Sequence, residues 1–493
     1  MNRPHSPARS FVESAPRRFQ PAAARRLEVL AGAFGVPVAD LDSPRSPLVD
    51  ADRRVARDRV WLALAVLGGQ LVDRRTTQAV ARAGARRGPG AVLEAAAEGA
   101  RWDDADVRVV RASDATVVNL GDLDATSEAA DDVRRTLRRV VLRWTETRPV
   151  RLVRWGTGAD EDRLIACDVD GATPDGRTVV VVPWHGTYLV PRLARDVRRA
   201  RLSQALAAHS ASWTAAVVED SAPLTSPEDV PYGRPSEYAN ALGALRHFRR
   251  VVAPSRAAAD VVAGWRTMLA AIDEPGPDVR VAPLASELPV PGPEAVAEAR
   301  ERFSLGDFPL VLSVAAQAPR SHRRSVLHAA ELLWREGLQF TLTLVGPDGD
   351  DADVRRTIAR LQREGRSVEV PGPLGEEALA ALYHIARFAV LPAVDDGAAV
   401  PVIDALASGT PVVTARFGAA AELAAPGGGL LVDPRDHHAL TSAVRTLLTR
   451  PDVHDTLRRT LDEAPARDRL EATEGLWSAL TEDRPAADGA RSA

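Results

Sequence analysis

The sequence contains no lysine, so every one of its 63 basic side chains is an arginine. Such a chain cannot form a Schiff base or place an ammonium group against a phosphate. It therefore excludes the Gly-x-x-x-x-Gly-Lys-[Ser/Thr] loop of P-loop nucleotide hydrolases. A complete Gly-x-Gly-x-x-Gly fingerprint is also missing, since Gly156-Thr-Gly158 and Gly88-Pro-Gly90 lack the third glycine. This absence disfavours a dinucleotide oxidoreductase.

Cysteine, excess charge and long apolar runs are equally scarce. Cys167 is the single cysteine, so a disulfide within the chain is impossible and a cysteine-based metal site is disfavoured. The net charge of -4 argues against a nucleic-acid partner. The runs WLALAVLGG and TVVVVP are far shorter than the roughly 20 residues of a membrane span, and MNRPHSPARS lacks the apolar region of a signal peptide. We expect a cytoplasmic protein, with peripheral contact at the inner face of the plasma membrane left open.

What the sequence does contain is a repeated alternation of strand and helix patterns. The pattern predicts a disordered start (1–25) and a helical extension (26–110). Two α/β domains (111–290 and 295–480) and a disordered tail (481–493) are predicted to follow. A Pro-rich linker, SELPVPGP, separates the two α/β regions. Alternation of this kind predicts parallel sheets covered on both faces, with ligands bound at the carboxyl ends of the strands. Two such domains in succession predict a cleft between them.

Ordered strings in the second α/β region are the most informative part of the sequence. They read LSVAAQAPRSHRRSVLHAAELL, YHIARFAVLPAVDDGAAVPVIDALASGTPVVT, FGAAAEL and GGLLVDPRD. In this order they resemble the family 4 retaining glycosyltransferases of the glycosyl transferases group 1 type. The resemblance covers residues 310–450 strongly, and VVPWHGTYLVP, VVEDSAPL and VVAPSRAAAD extend it weakly toward the N-terminus.

The resemblance implies an α/β protein of the GT-B fold, with two Rossmann-like doubly wound domains facing a cleft. It implies transfer of a sugar from a nucleotide diphosphate to an acceptor, with retained anomeric configuration and without a cofactor or a required metal. The sequence itself contains no His, Asp or Glu cluster with ligand spacing. The expected partners are a nucleotide sugar and a glycan or lipid-linked acceptor, and polysaccharide biosynthesis is the expected setting.

Arg320 and its neighbour Ser321 correspond to the family's Arg-Lys pair, which lies beside the donor diphosphate. A guanidinium supplies charge and directed donors to a leaving diphosphate, and a helix N-terminus adds free N–H groups. The resemblance therefore implies a catalytic role for Arg320. Ser321 carries no charge, and His322, Arg323 and Arg324 are the nearby candidates to replace the lysine.

Asp396 and Asp404 correspond to the two glutamates of the family's E-x7-E motif, at unchanged spacing. The resemblance implies that Asp404 accepts hydrogen bonds from the donor ribose and that Asp396 acts at the donor sugar. Each aspartate is one methylene shorter than glutamate, roughly 1.5 Å. A displacement of ~1 Å at a reacting group costs about 100-fold in rate, so this shortening bears on activity.

The glycine positions of the donor loops are partly replaced. Gly397 is kept, whereas Ala398 and Ala399 follow it where the family has a Phe-Gly pair, and Ala315 replaces another glycine. A Cβ at such a position restricts the approach of the backbone to phosphates. Further along, Gly418 and Glu422 match the family's G-x-x-x-E, for which we expect a role in loop geometry beside the nucleotide.

Three residues of the first α/β region are weaker candidates for the acceptor side. His185 follows a predicted strand, and Glu219 and Asp220 end another one, where the family carries His-Asp or Tyr-Asp. A second carboxylate would repel a diphosphate, so Glu219 suits the acceptor side better than the donor side.

Two functions remain open at this point. The first is a retaining transferase that moves a mannose-like or rhamnose-like hexose. The second is a weakly active or inactive relative that serves as scaffold or partner of an active transferase. The uncharged Ser321, the shortened carboxylates and the replaced glycines favour the second function. Retention of Arg320 and of the seven-residue spacing favours the first.

Overall fold

Two α/β domains and a helical extension make up the part of the chain that the computed structural model describes. The described residues are 7–43, 45–48, 56–102, 107–123, 132–193, 196–230, 233–303, 308–315, 319–347, 351–394, 397–463 and 467–484.

The helical extension begins earlier than the sequence predicts. Its helices are α1 (Pro7–Ser14), α2 (Gln20–Phe34), α3 (Arg57–Gly68), α4 (Arg74–Arg87) and α5 (Gly90–Glu98). The expectation of disorder over residues 1–25 is wrong for residues 7–25, and residues 1–6 lie outside the described part. The reason is aromatic packing: the rings of Phe11 and Phe19 lie 5.9 and 6.1 Å from that of Trp102. Both phenylalanines are buried in a core shared with the first α/β domain.

The first α/β domain contains a nine-stranded sheet. Its strands are β1 (Arg108–Ala112), β2 (Thr116–Asn119), β3 (Val150–Trp155), β4 (Leu164–Ala166), β5 (Val179–Pro183), β6 (Thr187–Val190), β7 (Trp213–Val217), β8 (Arg250–Ala253) and β9 (Asp278–Val281). Its helices are α6 (Asp132–Thr147), α7 (Val197–His209), α8 (Ala222–Thr225), α9 (Arg234–Leu245) and α10 (Arg256–Ala270). The strand order is β1-β5-β4-β3-β2-β6-β7-β8-β9.

One strand departs from the predicted parallel arrangement. β4 pairs antiparallel with both β3 and β5, whereas the other pairings of the sheet are parallel. The connection between β3 and β4 spans only residues 156–163, and a parallel crossover needs about a dozen residues or more. The short connection therefore forces β4 to turn back along β3.

β1 and β2 are two halves of one strand that is interrupted by three residues, and β5 and β6 are interrupted in the same way. The two broken strands run in parallel at constant register, with Ala112 opposite Pro183 and Thr116 opposite Thr187. Asp114 and His185 lie at matching places in the two breaks and both have left-handed backbone angles, φ 53 and φ 52. A paired kink therefore bends both strands at the same level.

The second α/β domain is a six-stranded parallel sheet. Its strands are β10 (Leu310–Val314), β11 (Thr341–Val345), β12 (Val368–Gly372), β13 (Phe388–Leu391), β14 (Val412–Ala415) and β15 (Gly429–Val432), in the order β12-β11-β10-β13-β14-β15. The accompanying helices are α11 (Pro293–Phe303), α12 (Arg323–Arg335), α13 (Ala352–Arg363), α14 (Glu376–Ile385), α15 (Val400–Ala407), α16 (Gly418–Ala424) and α17 (His437–Thr449). The strand order reverses between β10 and β13, which is where a doubly wound sheet binds its ligand.

The last two helices, α18 (Pro451–Glu463) and α19 (Arg469–Thr481), complete the chain as described. The sequence assigns α19 to the second domain, whereas the structure packs it on the first. The indole nitrogen of Trp213 donates to the carbonyl of Leu480 at 2.8 Å, and that of Trp144 to the carbonyl of Thr473 at 3.4 Å. The chain therefore crosses between the domains twice. Within the described ranges, no helix combines the length and apolar character needed to cross a membrane.

Candidate functional site at the domain boundary

The predicted donor residues lie in loops that follow neighbouring strands of the second sheet. Arg320 comes after β10, Gly397 after β13 and Gly418 after β14. The amide of Val394 donates to the carbonyl of Arg320 at 2.9 Å, so the first two loops are joined directly. These loops flank the point where the strand order reverses, as the sequence predicts for a nucleotide site.

Arg320 reaches across the domain boundary to Asp220. Its Nη1 donates to Oδ1 of Asp220 at 3.1 Å, and the same oxygen accepts the amide of Ala222. The two side chains are 35% and 23% exposed, so solvent still reaches the pair. Ion pairs that solvent reaches contribute little to stability, so the Arg320–Asp220 pair adds little to the closure of the boundary.

Glu219 is a buried residue that follows β7. It is 7% exposed, and its Oε1 accepts from Nε of Arg192 at 3.0 Å. Burial raises the pKa of the nearby Tyr238 hydroxyl well above its usual value, and the negative charges of Glu219 and Asp220 raise it further. The structure thus places Glu219 in a buried ion pair, and the predicted acceptor-side role has no support from its contacts.

Gly397 is pressed against the first domain. Its carbonyl accepts from the hydroxyl of Ser255 at 2.8 Å. A Cβ on Gly397 would lie 2.4 Å from the carbonyl oxygen of Glu219, closer than atoms can approach. The glycine kept from the family motif is therefore required for the two domains to close at this place.

Substituting Gly397→Ala should open the domain boundary. Overpacking of this kind typically costs about 1–3 kcal/mol, and here it would destabilise the closed arrangement of the two domains. We expect a lower melting temperature and a larger radius of gyration in small-angle scattering. Gly375→Ala is the matched control, because no atom lies within 4 Å of a Cβ there. Equal behaviour of the two variants would contradict the packing described.

Asp404 is buried in the closed boundary with both oxygens occupied. It is 1% exposed, Oδ1 accepts from the hydroxyl of Ser286 at 2.7 Å, and Oδ2 accepts from Nη2 of Arg135 at 2.7 Å. Burial raises the pKa of Asp404 to about 7, against the opposing effects of Arg135 and Ser286. In this conformation Arg135, on α6 of the first domain, occupies the carboxylate that the resemblance assigns to the ribose.

Apolar residues close the boundary around the same helix. Ala398, Val400 and Ile403 belong to a buried cluster that includes Leu137 and Val141 of α6. The sequence predicts a cleft here, whereas the described conformation brings the two domains into direct contact. Ala398 is thus a packing residue in this state, and a nucleotide can reach α15 only if the domains separate.

The replaced residues of the donor loops have definite places. Ser321 is 7% exposed and ends a short 3-10 turn, and α12 begins two residues later at Arg323. Arg323 is buried and donates to the carbonyl of Val345 at 2.9 Å, while Arg324 pairs with Asp351. Both guanidiniums are committed to other partners, so neither replaces the missing lysine in this conformation.

Ala399, which replaces a glycine of the family's motif, adopts a backbone conformation that favours glycine. Ala399 has φ 46, in the left-handed region that favours glycine, and its side chain is 1% exposed. The loop thus holds a turn that usually costs an L-residue about 1–2 kcal/mol. Asp396, which belongs to the same loop and is predicted to be catalytic, lies outside the described residues.

Glu422 joins the domains through a helix N-terminus. Its two carboxylate oxygens accept the amides of Arg256 and Ala257, at 2.9 and 2.7 Å, at the start of α10. Gly418 opens α16 with φ 73, a conformation suited to glycine. These places fit the predicted role in loop geometry.

His185 lies at the opposite edge of the first sheet. It stands two residues before the amino end of β6, whereas Asp220 lies beyond the carboxyl end of the parallel strand β7. Its amide donates to the carbonyl of Ser210 at 3.0 Å and its ring packs edge-on against Trp184. The predicted acceptor-side role is therefore not supported, because the kink described above accounts for the residue.

The variant His185→Ala tests this placement. We expect nucleotide affinity and any transferase turnover to stay within about twofold of wild type, less than ~0.5 kcal/mol. Calorimetric titration and initial rates measure both quantities. A tenfold or larger loss of nucleotide affinity or of turnover, with an unchanged melting temperature, would show that His185 belongs to the site.

Sequence reasoning missed the residues that hold the carboxylates of this site. Arg135 and Ser286 bind Asp404, and Arg192 binds Glu219. Arg135 stands in the first turns of an arginine-rich helix, beside other arginines with the same local pattern. Only the approach of the two domains distinguishes it. Among the residues described, no group of three or more His, Cys, Asp or Glu could hold a metal ion.

Comparison with known proteins gives the second domain its family. Residues 297–465 match the family model of glycosyl transferases group 1. A GDP-mannose-dependent alpha-(1-6)-phosphatidylinositol monomannoside mannosyltransferase of Mycolicibacterium smegmatis is 32% identical over 169 residues, which cover 33% of this chain and 44% of that protein. An MMP alpha-(1->4)-mannosyltransferase of Mycolicibacterium hassiacum is 34% identical over 146 residues, 29% of this chain and 34% of the relative. The matches thus span less than half of either relative.

Solved structures extend the likeness to both domains. The Anabaena HepE protein in complex with UDP matches with a TM-score of 0.55 at 14% identity, over 74% of this chain and 99% of its own. Sucrose-phosphate synthase from Thermosynechococcus elongatus matches with a TM-score of 0.52 at 18% identity, over 74% and 96%. At these identities the likeness concerns the fold alone. Residues 297–465 thus match the glycosyl transferases group 1 model, within a chain that shares the two-domain GT-B fold of these solved structures.

Proposed function

We propose that this protein is a metal-independent, retaining glycosyltransferase that moves a mannose-like or rhamnose-like hexose from a nucleotide diphosphate to a glycan or lipid-linked acceptor. The observation that carries the proposal is the set of loops at the switch point of a group 1 domain, which face the first domain at Arg320 and Gly397. No cofactor takes part, and the nucleotide sugar is a substrate.

Arg320 would bind the leaving diphosphate. It lies at the switch point, its side chain is 35% exposed, and its Nη1 donates to Oδ1 of Asp220. Release of that carboxylate would free charge-assisted donors, which gain strength against a diphosphate. As the bond from the anomeric carbon to the phosphate oxygen breaks, the electron pair leaves with the diphosphate. The acceptor oxygen would attack the same face and give its proton to the departing diphosphate oxygen.

Donor entry would require Arg135 to leave Asp404. Both oxygens of Asp404 are occupied in the closed state, so a ribose must exchange with the guanidinium. Arg135 keeps a second partner, Asp132, at 2.7 Å, and can remain charged and paired after the exchange. We therefore propose that the domains open for donor binding and that α6 moves away from α15.

The nature of the sugar is supported by the relatives. Two of the relatives described above are named as mannosyltransferases, and one of them as GDP-mannose-dependent. The matches cover the donor domain, the part of the chain that the proposal assigns to the nucleotide sugar. We therefore propose GDP-mannose as the first donor to test, with transfer in polysaccharide or glycolipid biosynthesis.

A calorimetric screen with GDP, UDP and GDP-mannose, repeated in excess chelator, tests the proposal. We expect one nucleoside diphosphate to bind with micromolar to millimolar affinity and the chelator to leave that affinity unchanged. If none binds at millimolar concentration, and the triple variant Ser321→Lys, Asp396→Glu, Asp404→Glu does not restore binding, the transferase proposal fails. A scaffold or partner role would then take its place.

A further inference from the structure

Helix α6 of the first domain carries a row of three arginines whose carboxylate partners lie beyond that domain. Arg135, Arg139 and Arg143 follow one another at intervals of four residues. Residues at this spacing are neighbours on one side of a helix, so the three guanidiniums form a continuous row along α6.

Two of the partners belong to the second domain. Arg135 pairs with Asp404 on α15, and Nη2 of Arg139 donates to Oε2 of Glu376 at 2.6 Å. Glu376 is the first residue of α14. The row thus joins α6 to two successive helices of the second domain, which can move away from α6 only when both contacts break.

The third partner, Glu287, lies in the Pro-rich linker between the domains. Its two carboxylate oxygens accept from Nη1 and Nη2 of Arg143, the first at 2.6 Å, and its side chain is 2% exposed. A bidentate pair of this kind fixes orientation as well as distance. Nη1 of Arg143 also donates to the hydroxyl of Thr473 on α19 at 3.3 Å. The pair therefore fixes the linker, and with it the path of the chain into the second domain, against α6.

The adjacent Arg138 shows what distinguishes the row. Its Nη2 lies 2.5 Å from Oδ1 of Asp170, which belongs to the first domain. The side chains of Arg138 and Arg139 are 31% and 49% exposed, and both form ion pairs that solvent reaches. The two pairs differ in one respect, because only that of Arg139 crosses the domain boundary.

The strength of the row suits a reversible closure. An ion pair that solvent reaches shifts an equilibrium by about fivefold at most, whereas the buried Asp404 and Glu287 depend on their guanidiniums for compensation. A nucleotide that binds only open molecules has an apparent affinity that falls in proportion to the open fraction. Weakening a contact that holds the domains closed should therefore tighten nucleotide binding, whereas damage to the site would weaken it.

We propose that Arg135, Arg139 and Arg143 form an electrostatic latch, which holds the two domains closed in the nucleotide-free protein and limits entry of the nucleotide. The proposal rests on the proposed function, because it concerns control of the same nucleotide site. The donor opens the latch by taking Asp404 from Arg135. Higher ionic strength weakens it by screening the exposed pair of Arg139 and Glu376.

Reversing the charge of the exposed pair tests the latch. Arg139→Glu places like charges opposite one another at Glu376 and should enlarge the radius of gyration, measured by small-angle scattering without nucleotide. It should also tighten GDP binding in calorimetric titration by about threefold to tenfold. Addition of Glu376→Arg restores an opposite-charged pair and should return both quantities to wild type, with affinity within about twofold. Arg138→Glu, the matched charge reversal toward Asp170, should leave both unchanged.

Two readouts separate failure of the latch from failure of the proposed function. An equal radius of gyration in wild type and Arg139→Glu would overturn the latch, and so would an increase of the same size in Arg138→Glu. GDP binding that is equal or weaker in Arg139→Glu than in wild type would overturn the control of entry. If the radius of gyration responds as expected and no form binds GDP or UDP at millimolar concentration, the latch is supported and the proposed function fails.

Discussion

Replacing Arg320 by alanine should weaken the binding of a nucleoside diphosphate by at least tenfold. Each charge-assisted hydrogen bond contributes ~1.5–3 kcal/mol, and ~1.4 kcal/mol corresponds to one decade of affinity. The chain has no lysine to share the charge, and Arg323 and Arg324 have other partners in the closed state. The nucleoside without phosphates should bind nearly as before, because the lost contact is to the diphosphate. Calorimetric titration of GDP and guanosine measures both.

A matched control variant, Arg445→Ala, separates the effect of losing a positive charge at the site from the effect of losing one elsewhere. Arg445, on α17, is 36% exposed, much as Arg320 is, and pairs with Glu336, the residue that follows α12. Arg445→Ala also removes one guanidinium and one ion pair, and should leave GDP affinity within about twofold. Equal losses in the two variants, or an equal loss of guanosine binding in Arg320→Ala, would contradict the assignment of Arg320 to the diphosphate.

Asp404 should make the folded protein less stable as the pH rises toward neutrality. The unfolded carboxyl loses its proton near about pH 4, whereas burial raises the folded pKa to about 7. Between these values the folded state binds the additional proton, so the free energy of unfolding falls as the pH increases. From pH 5 to pH 8 the expected loss is about 2–3 kcal/mol, at ~1.4 kcal/mol per unit of pKa shift.

Comparison with Asp404→Asn isolates this contribution. The amide resembles the protonated carboxyl in shape and does not titrate, so the variant should be closest to wild type at pH 5. The free energy of unfolding of the variant, relative to that of wild type, should be about 2–3 kcal/mol higher at pH 8 than at pH 5. Urea unfolding at the two pH values measures the difference. Asp260→Asn, at an exposed position on α10, serves as control. A constant difference between wild type and Asp404→Asn would show that Asp404 is ionised throughout.

The sequence predicts the second domain closely because its signals are local. Most of its six strands are apolar runs bounded by turn residues, and Arg320 and Gly418 follow strands whose ends fix their positions. The first domain is less predictable, because β4 runs antiparallel and β1 and β6 are short segments of bent strands. The bends depend on left-handed residues, Asp114 and His185, that carry no distinctive local pattern.

The partners of the site residues depend on contacts between segments far apart in sequence. Arg135 and Asp404 are separated by 269 positions, and Ser286 by 118 from the same carboxylate. No local pattern selects Arg135 from the neighbouring arginines of α6. The sequence therefore predicts which loops form the donor site, whereas the closed state of that site follows only from how the domains pack.

The most direct test of the account is a transfer assay with GDP-mannose and a mannose-containing acceptor in excess chelator, with the anomeric configuration of the product read by NMR. We expect release of GDP, a product that keeps the α configuration of the donor, and at least tenfold slower turnover in Arg320→Ala, ~1.4 kcal/mol or more. A product with inverted configuration would contradict the proposed mechanism. Turnover that is abolished by the chelator and restored by Mg²⁺ or Mn²⁺ would contradict its independence of metal.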